Sequence, residues 1–150
     1  MLKQKLQEEL KTSMLAKDKL KISVLRLLLS ATNYYEIQKG GAGYQATDED
    51  VFSVIQKEAK QRKDSIEQFS AAGRQDLADK EKEELELLQK YLPKQMDEEE
   101  IRILVKEAIS QSDATSPSDM GKVMGVLMPK IKGKSDGTLV SKIVKEELYK

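Results

Sequence analysis

Apolar residues recur with the spacing of a helix along almost the whole chain, and this periodicity restricts the possible folds more than any other feature of the sequence. Leu2, Leu6, Leu10 and Met14 repeat every four residues, which places one apolar stripe on a first helix. No segment shows the alternation of apolar and polar residues, bounded by turn signals, that is typical of a strand. We therefore predict an all-α fold without a β-sheet.

The second predicted helix is the most apolar part of the chain. It runs from Leu20 to beyond Tyr35 and is apolar on most of its sides, so we expect it at the centre of a helical bundle. Gly40, Gly41 and Gly43 follow it. These glycines predict a flexible loop that no helix would carry.

Residues with turn and capping preferences mark the next helix ends. The third helix begins at Thr47 and is closed by Gly73. The fourth helix extends from about Asp76 until Pro93 stops it. We place a domain boundary after this proline. The prediction is an N-terminal bundle of about four helices at residues 1–93 and a small three-helix C-terminal domain at residues 97–150.

The three C-terminal helices also begin and end at recognisable residues. Asp97 is followed by three glutamates and caps the fifth helix, because an acidic first turn suits the positive end of the helix dipole. A loop is predicted at residues 110–116, and Ser116 then caps the sixth helix. Pro129 should end or kink this helix, and Gly133 should reverse the chain before the seventh.

The residue types that are absent exclude several classes of function. The sequence contains no Cys and no His, which excludes disulfides, thiol nucleophiles, Ser-His-Asp triads and the common zinc sites. We predict no catalytic residue, no metal and no cofactor. An enzyme that works with lysines and carboxylates alone remains a third alternative. The charged N-terminus is unlike a signal peptide, and no apolar stretch is long enough to cross a bilayer, so we expect a cytoplasmic protein without membrane contact.

Positive charge is concentrated near the C-terminus, although the whole chain is neutral with 26 basic and 26 acidic residues. Residues 120–145 contain six lysines and a single acid, Asp136. Such asymmetry is typical of a surface that binds a polyanion. The candidate RNA-binding residues are Lys122, Lys130, Lys132, Lys134, Lys142 and Lys145, together with Gly121 and Gly133. A secondary basic cluster comprises Lys57, Lys60, Arg62 and Lys63.

Each of these features also has a structural interpretation. Lysines at the end of the sixth helix favour its dipole, and a charge run is often a solvated helix face. Gly121 and Gly125 allow either close packing of another helix or the close approach of an RNA backbone. Arg26, inside the most apolar helix, either reaches solvent or pairs with an acid such as Glu58 or Glu81. The methionines of the sixth helix form either core or an adaptable groove.

Two glycine-centred signatures resemble those of a known protein family. The first is G-R-Q-D-L-A at residues 73–78, preceded by K-Q-R-K-D-S at residues 60–65 and followed by Y-L-P at residues 91–93. The second combines D-M-G-K-V-M at residues 119–124 with K-G-K-S-D-G at residues 132–137. Together they resemble the small stand-alone YqeY-like proteins of bacteria over nearly the whole chain.

This resemblance implies a class of partner rather than a reaction. The family shares its architecture with the C-terminal tail of the B subunit of aspartyl/glutamyl-tRNA amidotransferase, and related modules occur at the N-terminus of some glutaminyl-tRNA synthetases. In those enzymes the helical appendage holds tRNA and performs no chemistry. Carbon–nitrogen ligase activity with glutamine as amide donor would therefore belong to the relatives and not to residues of this chain.

We therefore predict a non-catalytic, monomeric helical module that binds tRNA or another structured RNA. A tRNA synthetase or an amidotransferase is the expected protein partner. Recognition should depend on shape and phosphate, because the basic region offers almost no aromatic side chain or arginine for stacking on bases. The alternative is a protein–protein adaptor that docks on an aminoacylation or amidation enzyme. A salt-dependent RNA complex would distinguish the two.

Overall fold

The computed structural model describes residues 1–150, which form seven α-helices and no strand. The all-α prediction is therefore confirmed. The helices are α1 (Leu2–Leu15), α2 (Lys19–Gly40), α3 (Asp48–Ala71), α4 (Gln75–Gln89), α5 (Glu98–Ser112), α6 (Met120–Ile131) and α7 (Gly137–Leu148). Single 3₁₀ turns lie at Gly41–Gly43 and at Pro117–Asp119.

The chain divides into two compact units, Met1–Leu92 with α1 to α4 and Pro93–Lys150 with α5 to α7. Each unit contains its own cluster of buried apolar side chains. That residues 1–93 and residues 97–150 fold as independent domains stays a prediction. Separate expression of the two segments would test it.

The core of the N-terminal unit is built around α2, which contacts α1, α3 and α4. Leu25 and Leu28 of α2 pack with Val51 and Ile55 of α3, and all four are fully shielded from solvent. One side of α2 remains open, since Leu27 is 42% exposed. α2 is therefore central to its unit, although one of its sides faces solvent.

Arg26 lies on the open side of α2 and is exposed. The interpretation as an ion pair with Glu58 or Glu81 is wrong, because the carboxylate of Glu58 instead accepts a hydrogen bond from Arg62. The guanidinium of Arg26 therefore reaches solvent from an otherwise apolar helix, which was the other interpretation.

Side-chain caps confirm several of the predicted helix starts. The Thr47 hydroxyl accepts a hydrogen bond from the N–H of Asp50, and the Asp50 carboxylate accepts one from the N–H of Thr47. Asp97 and Glu100 form the same reciprocal pair at the start of α5. The predicted stop at Gly73 is also observed, with a φ of 73° that glycine adopts without strain.

Two predicted loops are shorter in the structure. Gly40 is the last residue of α2 and not part of a flexible loop. A Cβ at this position would lie 2.8 Å from the Cβ of Tyr44, so the glycine permits a close approach within an ordered turn. α5 continues through Ser112, because polar residues on an exposed helical turn do not break it. Asp113 then ends α5 with a left-handed conformation at φ 54°.

Neither of the two prolines marks a helix end in the structure. α4 ends at Gln89, before Pro93 is reached. Pro129 lies inside α6, which continues to Ile131. Proline removes one helical N–H, but the carbonyl left without a partner is that of Gly125, which lies on the exposed side of α6 where water can solvate it.

The core of the C-terminal unit is formed by the inner faces of its three helices. Its largest fully buried residues are Ile101, Val105, Leu127, Ile131 and Ile143. The methionines of α6 split between two environments, because Met120 and Met124 pack against this core while Met128 is 40% exposed. Most of the methionine stripe is therefore core.

Candidate nucleic-acid interface

The six predicted lysines all lie in the C-terminal unit, and each of them is exposed. The structure separates them into three groups. Lys122 and Lys132 lie near the two ends of α6, Lys130 and Lys134 line a cleft, and Lys142 and Lys145 lie on α7.

The outer face of α6 carries Gly121, Gly125, Met128 and Pro129, which share one side of the helix by their spacing. A Cβ added at Gly121 or Gly125 would meet no atom within 4 Å. Close packing within the chain is therefore excluded as the reason for these two glycines. We call this strip the open glycine face.

The backbone after α6 alternates between buried and exposed residues. Ile131 and Gly133 are buried, whereas Lys132 and Lys134 are exposed. Gly133 reverses the chain as predicted, with a φ of 79°. The N–H of Met96 donates to the carbonyl of Lys134 at 2.8 Å, which holds the turn in place. The role of Gly133 visible in the structure is thus conformational.

Lys130 remains part of α6 and does not extend from a turn. Its Nζ lies 3.5 Å from Oε1 of Gln111 in α5. A helix therefore presents this residue, because α6 continues past the proline before it. Only Lys132 and Lys134 follow the helical segment.

α7 presents Lys142 and Lys145 on the same face as Tyr149. The Tyr149 side chain is 75% exposed. An exposed ring beside ammonium groups provides a surface on which a base can stack. The lysine-rich region of the sequence ends at Lys145, so Tyr149 was not among the predicted residues.

Part of the secondary basic cluster is unavailable to a ligand. Arg62 pairs with Glu58 of α3 at 2.5 Å and with Glu84 of α4 at 3.5 Å, and its side chain is only 11% exposed. The guanidinium therefore joins two helices, which corrects its assignment to an RNA-binding cluster. The other members, Lys57, Lys60 and Lys63, are exposed on α3.

A buried polar cluster fixes the segment between α2 and α3, and only its capping pair, Thr47 and Asp50, has a signal in the sequence. Asp50 is 2% exposed. Its carboxylate accepts hydrogen bonds from Tyr35 at 3.0 Å, Lys39 at 2.9 Å and Tyr44 at 2.6 Å, besides the N–H of Thr47. Burial alone would raise the pKa of Asp50, but these hydrogen bonds hold the pKa well below its usual range. The cluster orders the segment and keeps the carboxylate ionised.

Arg102, the only arginine of the C-terminal unit, is used to join α5 to α7. It pairs with Glu98 at 3.0 Å, Glu146 at 3.0 Å and Glu147 at 2.7 Å. Hydrogen bonds from Arg102 and then Lys150 hold the pKa of Glu147 below its usual value. This arginine therefore has a structural role outside the lysine groups.

No three Asp or Glu side chains are grouped so that they could hold a metal ion. None of the helices combines the length and the apolar character that a membrane span requires.

Comparison with known proteins tests the resemblance. The profile of the YqeY family, described as Yqey-like protein, matches residues 3–148. The chain belongs to the YqeY-like family. The family prediction made from the two glycine-centred signatures is therefore confirmed over nearly the whole chain.

Several named relatives of this YqeY-like chain come from fungi. "Altered inheritance of mitochondria protein 41, mitochondrial" of Pyrenophora tritici-repentis is 36% identical over 148 residues, which cover 95% of this chain and 78% of that protein. Proteins of the same name from Vanderwaltozyma polyspora and Saccharomyces cerevisiae strain YJM789 are 40% and 38% identical over 87 residues. Those matches cover 58% of this chain and 46% of each yeast protein.

These relatives contradict the prediction of a cytoplasmic protein, because they are named as mitochondrial proteins. The lack of a signal-peptide pattern and of an apolar span does not distinguish the cytoplasm from the interior of an organelle. The expectation of a bacterial protein is likewise unsupported, because these relatives are fungal. Their names state no RNA, reaction or partner.

Proposed function

We propose that this YqeY-like chain binds tRNA or another structured RNA and catalyses no reaction on it. The observation that carries the proposal is the open glycine face of α6. A helix face with glycine at two positions one turn apart allows a sugar–phosphate backbone to approach the helix backbone closely. Lys122 and Lys132 near the two ends of this face supply positive charge.

The charges on this surface are accessible to a polyanion. Lys122 is 69% exposed, and its Nζ lies 3.7 Å from the Asp119 carboxylate, a surface pair that contributes little to stability. Lysines act as point charges and do not form the forked contacts by which arginine reads a base. Recognition would therefore depend on RNA shape and phosphate positions, and Tyr149 would add one stacking surface.

The proposed relation to the tRNA-holding tail of the amidotransferase rests on the family resemblance. In that role the chain would present tRNA to a tRNA synthetase or an amidotransferase, and the chemistry would belong to the partner. A protein–protein adaptor is the second candidate function. It is favoured by Ile103 of α5, an apolar side chain that is 59% exposed.

The glycine face is tested by blocking it. We expect the double variant Gly121→Leu, Gly125→Leu to bind fluorescently labelled tRNA at least about tenfold more weakly than the parent in anisotropy titrations, a change of about 1.4 kcal/mol. The two leucines would hold the RNA backbone away from α6 without altering any charge. Since a Cβ at either position meets no atom within 4 Å and both positions are exposed, the variant should fold normally.

Ser110→Leu is a matched control, because Ser110 is exposed on α5 of the same unit. It should bind tRNA within about twofold of the parent, a difference of about 0.4 kcal/mol. Equal affinity of the double glycine variant and the parent would refute the proposed site. A parent that forms no salt-dependent RNA complex would refute RNA binding and favour the adaptor.

A further inference from the structure

A cleft of about 770 Å³ lies beside α5 in the C-terminal unit. Its apolar lining includes Met96, Ile103, Leu104 and Pro129. Ile103 is 59% exposed, although it is a large aliphatic residue in the middle of a helix. Exposed apolar surface that forms one wall of a concave site is typical of a binding groove and not of a solvated helix face.

Hydrogen bonds hold the wall of the cleft that does not belong to α5. The side-chain amide of Gln95 donates to the carbonyls of Pro93 at 2.8 Å and Gly133 at 3.0 Å. The N–H of Met96 donates to the carbonyl of Lys134 at 2.8 Å. The segment before α5 is therefore tied to the turn after α6, and these hydrogen bonds fix this wall of the cleft.

The rim of the cleft is positively charged. Lys94, Lys130 and Lys134 line it, against one acid, Glu100. The Glu100 carboxylate is engaged with the N–H of Asp97 as part of the α5 cap. Lys94 and Lys134 form no ion pair within the chain. An apolar floor with a basic rim complements a ligand that has an apolar stripe and flanking carboxylates.

We propose that this cleft binds an acidic amphipathic helix of a partner protein. Main-chain pairing with an extended peptide is disfavoured, because one wall is the helix α5 and the N–H of Met96 in the other wall is already used. A helical peptide satisfies its own backbone and lays one apolar stripe into a groove. RNA is disfavoured because phosphates and sugars do not match an apolar floor that includes Ile103 and Leu104.

The test uses a fluorescein-labelled synthetic peptide with leucines at helical spacing and glutamates beside them. We expect it to bind the full chain, and we expect Ile103→Ser to weaken binding about tenfold, which corresponds to about 1.4 kcal/mol. Lys94→Ser should weaken binding about threefold at low salt and less at high salt, because its contact is electrostatic. Peptides with serine for leucine, or with lysine for glutamate, should not bind.

Met128→Ser is the matched control, because Met128 is an exposed apolar residue of the same unit that does not line the cleft. It should leave peptide affinity within about twofold, or about 0.4 kcal/mol. Circular dichroism confirms that each variant folds, which is expected since Ile103 is exposed. The same variants titrated with tRNA separate this proposal from the RNA-binding surface, because Ile103→Ser should leave tRNA affinity unchanged.

Four results would overturn the proposal. The first is that the parent does not bind the leucine–glutamate peptide. The second is that the parent binds the serine–glutamate peptide equally well, which would mean that binding depends on charge alone. Ile103→Ser could weaken tRNA binding as much as peptide binding, which would assign the cleft to RNA. Sedimentation could show a dimer that Ile103→Ser dissociates, which would make a second copy of the chain the occupant.

Discussion

Replacing Gly125 with alanine should stabilise the chain. Gly125 lies in the interior of α6, its φ is not positive, and an added Cβ meets no atom within 4 Å. Nothing in the native structure therefore opposes the methyl group. Alanine is favoured over glycine in a helix interior by about 0.8–1.0 kcal/mol, mainly because glycine loses more backbone entropy on folding. We expect the full amount at this exposed site.

The measurement is the free energy of unfolding of the full chain by urea, followed by circular dichroism at the helix band. A gain of about 1 kcal/mol should also raise the melting temperature by roughly 2–4 °C for a chain of this size. Gly133→Ala is the matched control, because Gly133 has a φ of 79° and is buried. That variant should lose about 1–2 kcal/mol, the cost of a left-handed conformation for an L-residue.

A Gly125→Ala variant that is less stable than the parent would refute the reasoning, because it would mean that the outer face of α6 is packed. If the gain is observed, the natural glycine lowers stability where the fold does not require it. A residue of that kind is expected where function requires an open surface.

Further predictions concern Asp50 and Arg102, two charged side chains that each have several hydrogen-bond partners. Asp50→Asn should lower the free energy of unfolding by about 3 kcal/mol, because a neutral amide weakens the hydrogen bonds that Tyr35, Lys39 and Tyr44 donate to this buried carboxylate. Asp79→Asn on the surface should change it by less than about 0.5 kcal/mol. The pKa of Asp50 is depressed in the folded state, so its contribution to stability is present above about pH 4 and is lost as the pH falls further. Urea titrations from about pH 5 to pH 3 should therefore show a steeper loss of stability for the parent than for Asp50→Asn. Arg102→Met should lower the melting temperature more than Arg74→Met, because it leaves three glutamates without their guanidinium. Arg74 and Asp76 are 59% and 67% exposed, so the loss of their pair should contribute little to stability. Thermal unfolding of both variants checks this, and equal losses would contradict the account of Arg102.

Local signals were sufficient to predict the helices and most of their starts. Thr47 and Asp97 combine a capping side chain with a carboxylate three residues later, and each forms the expected reciprocal hydrogen bonds. Gly73 and Gly133 both have the left-handed conformation that their positions indicate. These features depend on residues close together in the sequence, so pattern reasoning captures them.

Boundary errors arose where tertiary contacts or solvent exposure outweigh a local preference. Gly40 continues α2 because Tyr44 closes against it, which no local rule anticipates. Pro129 is tolerated because it lies on an exposed face near the end of α6. Arg26 has no acidic partner, since Glu58 is used by Arg62.

The candidate site was predictable in composition but not in geometry. Charge counting identifies the lysines of residues 120–145, because a net charge needs no three-dimensional information. It cannot show that Gly121 and Gly125 face open space. Nor can it show that Lys130 and Lys134 line the same cleft as Ile103, or that Arg62 forms ion pairs within the chain. These facts depend on which helix faces meet.

The salt dependence of tRNA binding tests the central claim most directly. The parent is compared with Lys122→Ser, Lys132→Ser and with the control Lys11→Ser, Lys80→Ser, which removes the same charge from exposed positions of the N-terminal unit. Each phosphate contact contributes a slope of about 0.7–0.9 to the fall of log affinity with log salt. The account predicts that the Lys122, Lys132 variant loses roughly 1.5 units of slope while the control keeps the parent's slope. Equal slopes for all three proteins would contradict the claim that Lys122 and Lys132 contact RNA phosphates.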